Sequence, residues 1–202
     1  MLVNRVAWHA FTMGSTLLGA VLAGGASQRM GTDKAEVEIS GSTLLDRVAS
    51  AVAGVTDRVV VLGGEREGYE SWPDSAPGSG PLTGLATVLS RMTEDRALVV
   101  AVDNAFVQPG TLAHLASVES DLPVVPVDHA GVRQVTCAVY PRQIAGQAVE
   151  EAESGGSVQT LLDRVSFLPV TPDQWEAWGE DGRSWYSADT PEALDAGLRR
   201  FT

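Results

Sequence analysis

The chain has little that would staple it, anchor it in a bilayer or attach it to a polyanion. Among its 202 residues there is one cysteine, Cys137, so no internal disulfide can form, and no Cys/His spacing matches a zinc site. Basic residues are scarce: 14 Lys and Arg stand against 26 Asp and Glu, for a formal net charge of −12. A surface of that sign repels nucleic acid and anionic membrane, so a polyanionic ligand has to be drawn in by a local cluster of cations. Apolar runs fall far short of the roughly 20 residues that cross a bilayer. Residues 1–15 carry Trp8, His9 and Phe11 but no basic segment followed by an apolar stretch and a cleavage site, so a signal peptide is not expected. The expectation is a cytoplasmic protein without nucleic-acid or membrane partners, with residues 1–15 a disordered extension and 16–202 one folded domain. Its 44% hydrophobic and 20% charged residues are those of an ordinary globular chain.

Two common phosphate fingerprints are missing as well. A Walker A loop needs G-x-x-x-x-G-K-[ST], whereas Lys34 lies three residues past Gly31, and the dinucleotide spacing G-x-G-x-x-G does not occur. What is present is Leu22-Ala23-Gly24-Gly25-Ala26-Ser27-Gln28-Arg29-Met30-Gly31-Thr32-Asp33-Lys34, at the end of the apolar run that starts at Leu17. That run reads as a buried strand. Where it breaks into Gly24-Gly25, backbone N–H groups can approach a ligand with no Cβ in the way. Arg29 offers a fork suited to phosphate oxygens and Lys34 a compact charge on a long stem, so both are expected to hold a triphosphate and stabilise charge as it reacts.

Downstream, apolar residues alternate between strand and helix periods, the pattern of a parallel α/β sheet. Ser40-Gly41-Ser42 reads as a turn into a helix over 43–53, capped by Thr43, whose Leu44, Leu45, Val48 and Val52 form one stripe. Residues 58–62 read as a second buried strand, 65–80 as loop and 81–92 as an apolar helix. Residues 97–102 are a near-continuous apolar run ending in Asp103. Ligands in open α/β sheets sit beyond the carboxyl ends of the strands, which puts Asp103 in one crevice with the glycine loop. A carboxylate beside nucleotide phosphates is what Mg²⁺ requires, so Asp103 is the expected metal ligand. Residues 122–127, with two prolines, read as an edge or irregular strand, 133–140 as another strand, and 143–153 and 158–165 as helices. Cys137 reads as a small buried hydrophobe and not a nucleophile.

Residues 22–34 resemble, at every fixed position, the L-A-G-G-x-S-x-R-M-G-x-D-K signature of nucleotidyltransferases related to molybdenum cofactor guanylyltransferase, and the likeness runs over residues 17–200. The resemblance places Leu22, Ala23, Gly24 and Gly25 against the nucleotide. A loop aspartate followed by G-P-L-x-G holds the nucleotide in that family, which falls here on Asp74 and on Gly80, Pro81 and Leu82. Residues 133–140 resemble its Q-P-L-x-A-x-Y segment, and residues 187–192 its N-x-N-T-P-E turn, where Asp189 is placed to give the metal a second oxygen. Trp175, Trp178 and Trp185 then read as packing for a small C-terminal lobe, or as faces on which a pterin-like acceptor stacks.

The implied class is α/β: a single Rossmann-like nucleotidyltransferase domain, three-layer α/β/α with a mostly parallel mixed sheet. The implied reaction transfers GMP from GTP to molybdopterin with release of pyrophosphate, using Mg²⁺, with Arg29, Lys34 and Asp103 as catalytic residues. Proteins of molybdenum-cofactor biosynthesis are its implied partners. This chain departs from the family at Ala105 and Val135, which replace prolines, and at Leu62, where guanylyltransferases often carry an Asn that contacts the base. Two alternatives stay open. One is a transferase of the same fold using CTP or another phosphorylated acceptor; the other is a non-catalytic nucleotide- or cofactor-binding protein.

Overall fold

Three buried runs form the middle of a sheet: β1 (Leu17–Leu22), β4 (Arg58–Leu62) and β6 (Arg96–Ala101), with β1 hydrogen-bonded in parallel to both of the others. The computed structural model describes residues 16–24, 33–73 and 80–202. The extension expected over 1–15 lies outside them. Four shorter strands complete a seven-stranded sheet in the order β5-β4-β1-β6-β8-β7-β9, with β5 at Glu70–Trp72, β7 at Val124–Pro126, β8 at Cys137–Pro141 and β9 at Leu168–Val170. Only β8 runs against its neighbours, so the sheet is mixed and mostly parallel.

Side-chain alternation assigns the two faces. Leu18, Ala20 and Leu22 of β1 point the same way as Val60, Leu62, Ala97 and Val99, and are covered by α2 (Pro81–Arg91), α4 (Ala145–Glu153) and α5 (Val158–Arg164). Val21, Val61, Leu98 and Val100 face the opposite layer, made by α1 (Leu44–Ala53), α3 (Pro109–Ser117), α6 (Pro172–Ala177) and α7 (Pro191–Phe201). Helices on both faces of a parallel sheet explain why these strands are apolar on both sides. The three-layer α/β/α class expected from the sequence is the one observed.

Some local readings change. The polar–apolar alternation before α1 makes a small antiparallel hairpin, β2 (Glu38–Ile39) with β3 (Ser42–Thr43). Its turn residues Ser40 and Gly41 both have positive φ, 53° and 81°, as a tight hairpin turn requires. Residues 65–80 are not loop throughout, because β5 adds to the sheet edge, where Trp72 is buried and Glu70 pairs with Arg58. β7 lies between β8 and β9 and so is not an edge strand, but it is irregular, with three residues that follow Pro123 and end in Pro126 and one paired position on β8. The strand expected over 133–140 starts only at Cys137, after a turn closed by the Cys137 N–H donating to the Gln134 carbonyl at 3.1 Å.

One glycine after β4 is required by close approach. Gly63 has φ +109°, and a Cβ there would lie 2.6 Å from the Ala23 carbonyl carbon and closer still to the Gly24 backbone. The chain leaving β4 thus packs bare backbone against the chain leaving β1. Gly64 has φ +124° with open space around it. Gly63→Ala should therefore cost about 1–3 kcal/mol beyond Gly64→Ala in urea unfolding, since both carry the conformational strain but only Gly63 adds a backbone collision.

Candidate active site

Hydrogen bonds on both flanks of β1 bring three strand ends level. Leu22 is in register with Leu62 and with Ala101, and the ladder continues one step further, with Ala23 N–H donating to the Leu62 carbonyl (2.8 Å) and Val102 N–H to the Leu22 carbonyl (2.9 Å). Gly24 is exposed at this mouth, and Asp103 follows β6 into it. Lys34 enters from the side on a single 3₁₀ turn, Lys34–Glu36. Asp33 caps that turn by accepting the Ala35 N–H at 3.0 Å, and Ala35 anchors it with no exposed surface. Lys34 Nζ stands 4.0 Å from Asp103 Oδ2, with the two side chains 19% and 25% exposed. That spacing is longer than a direct hydrogen bond and is reachable from solvent.

Asp103 is held by a segment that lies far away in sequence. Ser187 Oγ donates to its Oδ2 at 2.8 Å, and the Ala188 N–H donates to its carbonyl at 2.9 Å. The next residue, Asn104, is 2% exposed and donates its Nδ2 to the Ser184 carbonyl at 3.1 Å. Ser184 Oγ in turn accepts the Gln108 N–H at 3.0 Å. Beneath them lies Glu180, 3% exposed, which accepts Thr111 Oγ1 (2.6 Å), the Asp181 and Ser184 N–H groups (3.0 and 3.2 Å) and the Ser184 hydroxyl. A buried carboxylate is tolerated when donors surround it in this way.

The remaining sequence-selected residues fall into three groups. Gly25, Arg29 and Asp74 lie outside the described residues. Leu22, Ala23 and Leu82 have buried side chains, so only their backbone can face a ligand. Gly80 precedes α2 at φ 83° with no side-chain cap, and Pro81, which has no N–H, occupies the first turn. Asp189 is half-buried and directly follows the Ser187-Ala188 segment pinned to Asp103. Among the described residues no three His, Cys, Asp or Glu side chains gather as a complete metal cage. This donor set fits a hard cation that takes one or two carboxylates and completes its shell with phosphate and water, as Mg²⁺ does.

Leu62 is 1% exposed and packs with Leu22 beneath Gly84 of α2, so it offers a base nothing. Trp175 and Trp185 are buried, in edge contact at 5.2 Å, with Trp175 Nε1 donating to the Val127 carbonyl; Trp178 stacks on His114 at 4.9 Å. Trp175 and Trp185 pack the C-terminal lobe, and Trp178 is half-buried against it. Cys137 is wholly buried. Two cavities of about 650 and 600 Å³ lie at the opposite end of the strands, lined by residues such as Asp95, Arg96, Arg142 and Thr16, remote from Lys34 and Asp103. The chemistry points to the mouth and not to these grooves.

A doubly wound sheet that brings Gly24, Lys34 and Asp103 to one end of its strands has the architecture of a nucleotide-binding enzyme. The chain belongs to the family of the MobA-like NTP transferase domain, whose model matches residues 19–168, and it is a nucleotidyltransferase. A protein of Natronomonas pharaonis named "Probable molybdenum cofactor guanylyltransferase" is 30% identical over 198 residues, 91% of this chain and 98% of its own length. A protein of the same name from Chloroflexus aggregans is 29% identical over 189 residues, covering 87% and 90%. The fold is shared with the crystal structure of molybdopterin-guanine dinucleotide biosynthesis protein A from Archaeoglobus fulgidus, at TM-score 0.77 and 21% identity, over 91% of this chain and 97% of that one.

Two outcomes follow from this packing. Asn104→Ala removes the tie to Ser184 and should lower unfolding free energy by about 1–2 kcal/mol, the range of a buried hydrogen bond lost on one side. Burial, reinforced by the Glu180 charge, pushes the Cys137 thiol from 9.0 up to about 12. Above pH 9 the unfolded chain then binds fewer protons than the folded one, so this group withdraws stability as pH rises toward about 12. The native protein should resist thiol reagents at neutral pH, and Cys137→Ala should flatten the alkaline loss in urea midpoints.

Proposed function

We propose that this chain transfers GMP from GTP to molybdopterin, releasing pyrophosphate, in the cytoplasm. The observation that carries the reading is the approach of Lys34 Nζ to Asp103 Oδ2, 4.0 Å apart at the level mouth of β1 and β6. The names of the relatives supply the base and the acceptor. A phosphate oxygen of the acceptor attacks the α-phosphorus in line, the bond from that phosphorus to the α–β bridging oxygen breaks, and the electron pair leaves with pyrophosphate. No protein nucleophile is needed, consistent with the buried Cys137.

Asp103, with Asp189 as the second oxygen, is the proposed Mg²⁺ ligand, and Ser187 restrains its carboxylate from rotating. When bound, Mg²⁺ neutralises phosphate charge and polarises the reacting P–O bond. Lys34 holds the β- and γ-phosphates and stabilises the charge that develops on the leaving group, a role the family signature also gives to Arg29. The Gly24 backbone and the start of α2 at Gly80, Pro81 and Leu82 are the proposed nucleotide contacts, with Gly25 and Asp74 assigned to the same role by the family signature alone. Lys34 is the chain's single lysine, so no second ammonium can replace it.

A second reading rests on Leu62. Because its apolar side chain is buried where a base-contacting amide stands in many guanylyltransferases, another nucleoside triphosphate, such as CTP, is the alternative donor. A panel of the four common NTPs, with and without molybdopterin, separates these by pyrophosphate release. GTP with molybdopterin and Mg²⁺ should give the product; preference for another NTP would move the reading to that base. Tight GTP binding without pyrophosphate would make the protein a carrier. Lys34→Ala and Asp103→Ala should each lower kcat by roughly a hundredfold or more while urea midpoints stay near the parent value, as expected for partly exposed groups that act on transition-state charge.

A further inference from the structure

The turn that carries Lys34 has an acid on each side, and a single guanidinium engages both. Arg66, from the connection between β4 and β5, reaches Asp33 Oδ2 with NH2 at 2.6 Å and Glu36 Oε1 with NH1 at 3.0 Å. Its side chain is 13% exposed, whereas Asp33 and Glu36 are 42% and 62% exposed. The arginine is itself fixed: its N–H donates to Ser71 Oγ at 2.9 Å, and its carbonyl accepts the Tyr69 N–H at 3.1 Å, which ties it to the start of β5. Nothing in the reaction uses this cation directly, and ion pairs between exposed partners contribute little to stability. One arginine spanning two carboxylates next to the reactive lysine therefore calls for an account in terms of position.

We infer that Arg66 is a positioning residue for Lys34: by occupying Asp33 and Glu36 it keeps the turn's own carboxylates from competing for the ammonium, which then faces Asp103 and the phosphates of the nucleotide. The inference rests on Lys34 being a phosphate-binding group. The fork geometry matters, since a guanidinium bridges two carboxylates at fixed angles and a lysine ammonium does not. Asp33 also caps the turn through Ala35, so the arginine sets the direction of the turn as well as the charge around it. Loss of the guanidinium leaves two acids within one helical turn of Lys34 and lets them pair with it.

The test uses Arg66→Met, with Glu36→Gln added to it, and the lone lysine supplies a clean readout. The rate at which an amine-reactive acylating reagent modifies the Lys34 peptide, followed by mass spectrometry without any nucleotide, reports whether carboxylates have turned onto the ammonium. Arg66→Met should slow that modification and weaken GTP·Mg²⁺ binding in calorimetry by about ten- to a hundredfold, the range of a charge-assisted contact. Adding Glu36→Gln should restore a large part of both, which a merely structural role would not do. Arg66→Lys, which reaches only one of the two acids, should fall between and serves the same comparison if the methionine variant does not fold. Unchanged Lys34 reactivity and unchanged GTP binding in a folded Arg66 variant would overturn the inference. The site reading fails separately: Lys34→Met binding GTP as the parent does would remove Lys34 from the phosphates, while the reactivity measurement still reports on Arg66.

Discussion

The register of β1 against both its neighbours is the constraint on which the rest depends. Leu22, Leu62 and Ala101 end level because each residue of β1 is fixed from both sides. A slip of one residue would invert the alternation, sending Leu18, Ala20 and Leu22 into the layer of α1 and α3 and Val21 into that of α2. Both helix layers therefore hold the register, and the register holds the mouth. Gly63 can lie against Gly24 only because those two strand ends coincide, and Asp103 reaches the same mouth only because β6 is set beside β1.

The carboxylate at that mouth is stiffened by contacts from outside its own strand. A proline two residues after the aspartate fixes a turn locally, by restricting φ. Here Ala105 stands at that position, and the turn is fixed from outside by Ala188, Ser187 and Ser184. These three ties depend on folding of the C-terminal lobe. Trp175, Trp185 and Glu180 thereby acquire a part in the site although none of them stands at its mouth: they pack and pin the segment on which Asp103 leans. Stability of that lobe and geometry of the carboxylate are coupled, so damage to the lobe should be felt at the mouth before the central sheet is disturbed.

What could be read in the sequence divides along the same line. β1, β4, β6, α1 and α2 were legible because apolar periodicity is a local property and their ends carry Gly, Thr or Pro signals. Lys34 and Asp103 stood out because each follows a glycine loop or an apolar run. β5 was hidden in a loop-like composition, since three residues carry almost no period and pairing with β4 decides their state. Arg66 pairs with an acid 33 residues away, Thr111 meets Glu180 across 69, and Ser187 reaches Asp103 across 84. Such partners have no local signature. Aromatic spacing left packing and stacking both open for the tryptophans, because it says nothing about which side of a ring is covered; burial of Trp175 and Trp185 is what favours packing.

The charge distribution ties the mouth to its ligand. With a net charge of −12 the protein gains no general attraction for a polyanion, and several arginines are engaged by acids: Arg58 by Glu70 and Glu94, Arg133 by Asp163, Arg164 by Glu151, Arg183 by Asp181. Charges farther away than about 8 Å are largely screened at physiological ionic strength, so the field felt by a nucleotide is set by what stands within the mouth. There Lys34 is offset by Asp103 4.0 Å away. Among the described residues, that pair alone has little net charge with which to hold a bare phosphate chain. A phosphate chain that arrives with a divalent cation would suit it better, since Asp103 would hold the cation and Lys34 the phosphate oxygens. On the proposed function, opposed charges at this distance would favour the metal complex of a nucleotide over the naked anion.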